Sequence, residues 1–440
     1  MKSVENRLGT KREGALVALL LAAAAGVACS SGNDTVVLDA ASEPPGSPGA
    51  PGLPEEPAPP TSGAEGSQYV ISTRVFSADV STEVGYLTTV SSLEAGSTYD
   101  LSSAVELPDS GIAFNRPGKS WVYWASQTEP TITRWDVSPE GVFTRGATVS
   151  FANLGLTSAI AAADGQIFSD SKAYFVDQGQ GNIIVWDPTE MILLGVIPLD
   201  TGSGEGLSPN VFSTLGVRGN RVFASMFSWS SNDWTVLGER SRLFTIDTAT
   251  DTVIRSTDEA RCNQLALGGV SSDGTAYFSA RSYFTLPRLV FGAGFGAASC
   301  SLRIVPEGEE FDQGFDVDLA ALVGGRPAGD VTLVSDDTAF IRVWHTESAS
   351  EPTPANWDAM RGEAGFRWWR WRIGSEAADE IVDQDSAANT VQLRTVDGKV
   401  FALRYTPNFS STTLEELRPD GSIIPGLTGQ GGIYGVIRMR

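Results

Sequence analysis

The chain has 440 residues, 41% of them apolar, and carries 53 acidic against 31 basic side chains for a formal net charge of -22. An excess of that sign excludes nucleic acid and anionic lipid surfaces as electrostatic partners and describes a solvated acidic exterior. With one histidine, His345, a multi-histidine metal site is excluded and no Ser-His-Asp triad can be assembled without that residue; no glycine-rich phosphate loop and no Cys-x-x-Cys pair occurs either.

In chain order, Lys2, Arg7, Lys11 and Arg12 precede an apolar run from Ala15 to Ala25, too short for a mature bilayer span and of the form of an export signal. Gly26-Val27-Ala28-Cys29 follows and resembles the cleavage box of bacterial lipoproteins, although Gly26 stands where leucine is common. On that reading residues 1–28 are a lipoprotein signal peptide and Cys29 is the acylated first residue, anchoring the chain to a membrane; ordinary secretory cleavage near Ala28 is the alternative. Both take the mature chain out of the cytoplasm. Residues 29–66 then form a linker in which Pro44, Pro45, Pro48, Pro51, Pro54, Pro57, Pro59 and Pro60 alternate with Gly, Ala, Ser and Glu. Such a composition buries no core, and as a flexible coil it spans roughly 35 Å.

Residues 67–440 read as one repeat domain. Six times a turn pair is followed by a small aliphatic residue and an aromatic one, at Tyr123, Tyr174, Phe223, Tyr277, Phe340 and Phe401, with a weaker copy at Tyr69. The steps between these aromatics are 54, 51, 49, 54, 63 and 61 residues, the period of β-propeller blades. Blade 2 shows the content most plainly, as four β-prone runs at Gly111 to Arg116, Trp121 to Ser126, Thr131 to Asp136 and Phe143 to Phe151. Tyr69 opens at a second strand with no first strand before it, whereas Gly431 to Arg440 supplies a strand with no repeat after it. The fold class is therefore all-β, a seven-bladed propeller of four-stranded antiparallel blades in which the C-terminal strand closes blade 1. The repeated aromatics are wedges between blades rather than a site.

With Cys29 assigned to the anchor, Cys262 and Cys300 remain, one just before the first strand of blade 5 and one just before its third, on the same face of the ring. A disulfide between them is expected in an exported chain, two separate buried thiols being the alternative. Asp312, Asp316 and Asp318, and Asp379, Asp383 and Asp385 with Asn389, are candidate calcium loops, with solvated turns as the other reading; no other cofactor is indicated.

Three repeats are longer between their second and third strands, by Ser225 to Arg240 in blade 4, Arg281 to Ser299 in blade 5 and Trp344 to Gly365 in blade 6. Because strands alternate in direction, all three connections rise on one face and form a wall. They are rich in aromatic and cationic residues, and Trp229, Trp234, Arg281, Tyr283, Arg288, Trp344, His345 and Trp357 are the candidate binding residues, for a small anionic or aromatic ligand or for an outer-membrane protein partner. The bland alternative is that these segments bury their own aromatics. Phe366 to Arg372 reads as the third strand of blade 6, with arginines packed on tryptophans.

The lipoprotein-like leader, the proline-rich leash and the opening Tyr69-Val70-Ile71-Ser72-Thr73-Arg74-Val75-Phe76 together resemble bacterial lipoproteins of propeller layout, among them the iron-regulated lipoproteins of myxobacterial siderophore (myxochelin) loci. The resemblance implies an accessory role in ferric-siderophore handling at the cell envelope and carries no binding residue with it; the chain is expected to be a monomer, on either face of the outer membrane. A non-catalytic binding propeller is the first expectation. A secreted hydrolase or oxidoreductase with its site in the central channel is the alternative.

Overall fold

The computed structural model describes residues 66–440, less 78–82, 108, 117, 203–205, 231, 234, 348, 350, 357–363, 382–383, 385–391 and 407. Seven antiparallel sheets follow one another around a ring. Blade 2 is built from Gly111–Phe114, Trp121–Ser126, Thr131–Val137 and Phe143–Ser150, within two residues of the runs read from the sequence. The innermost strands of blades 1 and 2, 4 and 5, 5 and 6, and 7 and 1 touch one another around the central channel.

Closure uses the two ends of the chain. The last strand, Gly432–Arg438, pairs with the opening strand Tyr69–Phe76, setting Tyr69 opposite Arg438 and Ile71 opposite Val436. Ile433 and Ile71 are fully buried at this seam. The sheet order in blade 1 is therefore last strand, first strand, Glu83–Val90 and Val105–Leu107, so the last strand takes the innermost place and the two chain ends complete one blade.

The repeated aromatics are buried, between 0% and 5% exposed at all seven positions. Several fill the wedge between neighbouring blades, as when Tyr123 meets Trp186 of blade 3 edge-on with centroids 5.4 Å apart, or Tyr69 packs with Phe401 of blade 7. Inner strands approach so closely that side chains are excluded at some positions. A Cβ on Gly268 would lie 2.1 Å from the Val331 carbonyl oxygen of blade 6, and one on Gly435 would lie 2.5 Å from that of Ala113 in blade 2.

Three features depart from the sequence expectation. In blade 4 the stretch from Ser225 is not a loop: the second and third strands run on as Arg221–Trp229 and Leu237–Asp247, with Ser225 opposite Leu243 and Trp229 opposite Leu237. In blade 5 the inserted segment contains helix α1, Ser282–Phe291, with Pro287 inside it. Thr98–Tyr99 adds a short parallel strand to the outside of blade 7. The disulfide does form, joining Cys262 to Cys300 across 38 residues with Cα atoms 6.0 Å apart. Among the described residues no helix is long and apolar enough to cross a membrane.

Candidate functional site

Helix α1 is the centre of the wall and packs on both neighbours. Toward blade 4, Phe284 meets Phe227 at 5.5 Å, and the Gly296 amide donates to the Thr235 carbonyl at 2.8 Å. Toward blade 6, the Ser282 amide donates to Asp330 at 3.1 Å, and Leu286 packs with Trp344, Phe366 and Tyr283. The inserted segments of blades 4, 5 and 6 thus form one body rather than three separate loops.

The candidate residues fall into three groups. Trp229, Tyr283 and Arg288 are partly exposed on this body. Arg281, Trp344 and His345 lie within it: the Arg281 guanidinium stacks 4.9 Å from the Phe212 ring, and Trp344 crosses Phe366 at 4.9 Å. Trp234 and Trp357 lie outside the described residues, as do residues 1–65 with Cys29.

Beside α1, on the outer flank of the wall, is a cleft of about 480 Å³. One side is α1, through Thr285, Arg288 and Leu289; the floor includes Cys300 of the disulfide; the far side is Asp316, Asp318 and the turn at Gly325 and Pro327; Arg261 completes it. Two properties suit it to a ligand. Leu289 is 52% exposed, one of few large apolar side chains left facing solvent among the described residues. Arg288, at the C-terminal turn of α1, has its Nη1 on the Ala293 carbonyl at 2.9 Å, and among the described residues no carboxylate forms an ion pair with it. Arg261 is held in place by Glu259, with Nη2 2.7 Å and Nε 3.0 Å from that carboxylate, which raises its pKa further. Arg261 adjoins Cys262 and Leu289 adjoins Arg288 in the sequence, but no local pattern sets them apart until the disulfide and α1 bring them to one cleft.

Two other places were candidates for chemistry. Asp312 pairs with Arg303 at 2.8 Å and accepts from the Gly314 amide, while Asp318 caps the short helix Leu319–Leu322. Asp379 pairs with Arg370 at 2.9 Å, and Asp383, Asp385 and Asn389 lie outside the described residues. Among the described residues no group of three His, Cys, Asp or Glu side chains converges as a metal site. Near the channel, Arg74 donates to the Gly111 carbonyl at 3.2 Å and lies 4.1 Å from the Tyr434 ring centre, while Arg394 donates to the Tyr434 carbonyl at 2.9 Å. These guanidiniums tie blades 7, 1 and 2 together.

No protein-family model and no curated protein matches the chain. Among solved structures, the periplasmic gluconolactonase PpgL of Pseudomonas aeruginosa superposes with a TM-score of 0.52 at 11% identity, over 85% of this chain and 99% of that one. A functionally unknown protein from Desulfotomaculum acetoxidans gives 0.47 at 12% identity, over 83% and 98%, and AztD from Citrobacter koseri 0.39 at 9%, over 84% and 98%. At these identities the likeness is one of fold, and the functional argument rests on the wall and its cleft.

Proposed function

We propose that this chain is an exported binding propeller, tethered to the cell envelope through Cys29, that holds a small anionic aromatic ligand in the cleft beside α1 and serves ferric-siderophore handling. The observation that carries the reading is the pairing of Arg288, Arg261 and exposed Leu289 around one cleft on a chain of charge -22. The recess sets two guanidiniums opposite Asp316 and Asp318, and its Arg288–Leu289 side takes a flat anion by guanidinium hydrogen bonds and stacking. The disulfide fits an oxidising compartment outside the cytoplasm.

Topology supports the tether. The chain enters the ring at Gln68, whose amide donates to the Arg440 carbonyl at 3.0 Å. That entry is at the start of a second strand, on the face opposite the second-to-third connections. A leash attached there leaves the wall turned away from its anchor.

Equilibrium dialysis of the full chain against the ferric complex of 2,3-dihydroxybenzoate, read as retained iron, tests the reading. Saturable retention is expected, weakened about tenfold or more in Arg288→Ala, the loss of one charge-assisted hydrogen bond of about 1.5 kcal/mol or more. Arg255→Ala, on the outermost strand of blade 4 and paired with Glu310 outside the cleft, leaves it unchanged. Equal retention by wild type and Arg288→Ala would remove the cleft from the account.

A further inference from the structure

We propose that His345 is a proton-operated latch on the wall: protonation breaks its hydrogen bond with Trp369 and loosens the contact of His345 to Glu347 with the third strand of blade 6, beside the rim of the cleft. The side chain is fully buried. Its Nε2 lies 2.9 Å from the indole Nε1 of Trp369, and its Nδ1 lies 3.2 Å from Oε1 of Glu347. An indole N–H only donates, so Nε2 must carry the lone pair and Nδ1 the hydrogen. A second proton can be added only at Nε2, where it would face the indole N–H at the same 2.9 Å. Two donors cannot share that contact, and the bond to Trp369 is lost.

The surrounding charges leave the neutral ring favoured. Glu347, on the same connection, and Glu380, on the outer strand of blade 6 and 3.9 Å from Nδ1, both favour the imidazolium. Each is already paired, Glu347 with Arg326 at 3.0 Å and Glu380 with Arg367 of the third strand at 2.9 Å. Burial then dominates and moves His345 below its ordinary value, against the pull of the Glu347 hydrogen bond. The neutral ring therefore contributes stability that is complete above the unfolded value, about 6.5. That contribution is lost as pH falls through the folded one.

The latch reaches the cleft through Glu347. Its partner Arg326 stands between Gly325 and Pro327, both of which line the cleft. Trp369, on the other side, belongs to the third strand, opposite Ile341. Loss of the bond frees the His345 ring from the third strand while Glu347 remains bridged to Arg326. If the cleft binds as proposed above, affinity falls in mild acid.

A single histidine makes the experiment unambiguous. In the full chain labelled with ¹⁵N at histidine and tryptophan, with Trp369→Phe assigning the indole signal, pH is lowered from 7.5 to 4.5. Expected are imidazole nitrogens with the hydrogen on Nδ1 at neutral pH, then one titration with a midpoint below about 6.5. At that midpoint the Trp369 indole proton shifts and its exchange with solvent accelerates tenfold or more. His345→Gln, which accepts and donates without titrating, is expected to hold the indole signal constant. An indole signal unmoved in wild type across imidazole protonation, or a histidine that stays neutral to pH 4.5, overturns the proposal even if the variant does not fold. A titrating Trp369 signal in folded His345→Gln overturns it equally. Retention of ferric 2,3-dihydroxybenzoate by wild type relative to His345→Gln at pH 5.5 and 7.5 is measured separately. Absence of retention at both values counts against the binding reading and leaves the nuclear resonance result to decide the latch.

Discussion

Replacing both Cys262 and Cys300 by alanine removes a cross-link that closes 38 residues of blade 5, including its first two strands and α1. On the chain-entropy view, freeing a loop of that length in the unfolded state destabilises the fold by about 4 kcal/mol. Both cysteines are buried, so small cavities add to the loss rather than offset it. Urea denaturation followed by tryptophan fluorescence and by circular dichroism is the assay, with coincident transitions required before either curve is converted to a free energy. The double variant should unfold at lower urea by an amount equal to about 4 kcal/mol, with a slope no smaller than that of the oxidised chain. A difference under about 1 kcal/mol would refute the reasoning. It would mean that Cys262 and Cys300 are held near one another without the bond, and that the cleft does not depend on it for its floor.

Other outcomes follow from the ring itself. Ile433→Ala at the closing seam should cost about 2–5 kcal/mol in the same urea assay, since the side chain is fully buried between the chain ends; a loss under about 1 kcal/mol would show that closure does not govern stability. Gly268→Ala should lower the thermal midpoint and broaden calorimetric unfolding, because its Cβ would stand 2.1 Å from a backbone oxygen of the next blade. An unchanged midpoint would mean that the inner strands are not pressed together there.

Much of the fold was legible because a propeller repeats its local chemistry. Each blade places an aromatic wedge a fixed distance after a turn, and Asp187 and Asp247 end their strands by accepting from amides two residues on. The missing first strand before Tyr69 and the surplus strand at Gly432–Arg438 made closure readable as well. What escaped reading depended on long-range packing. Thr98–Tyr99 pairs with a strand more than three hundred residues away and leaves no local pattern. The helix at Ser282–Phe291 was hidden by Pro287 and by aromatic and β-branched content that favours strands. The longer repeat in blade 4 marks Ser225 to Trp229 as loop, although its buried residues continue a strand.

The candidate site was legible only in outline. The sequence located the wall, but aromatic and charged side chains mark binding surfaces and inner packing alike. Trp344, Arg281 and His345 are inside the wall, whereas Arg261 and Leu289, which line the cleft, carry no distinguishing spacing. Their significance appears only when α1, the disulfide and the turn at Gly325 are brought together.

The central claim is that ligand enters the cleft beside α1 rather than the central channel. Hydrogen–deuterium exchange of the full chain, with and without saturating ferric 2,3-dihydroxybenzoate, tests this directly. The account predicts slowed exchange concentrated in α1 and its return to Cys300, and at the turn Gly325 to Ala328. Protection centred instead on the inner strands Gly111–Phe114, Leu265–Val270 and Gly432–Arg438, or no protection at any concentration of the complex, would contradict it.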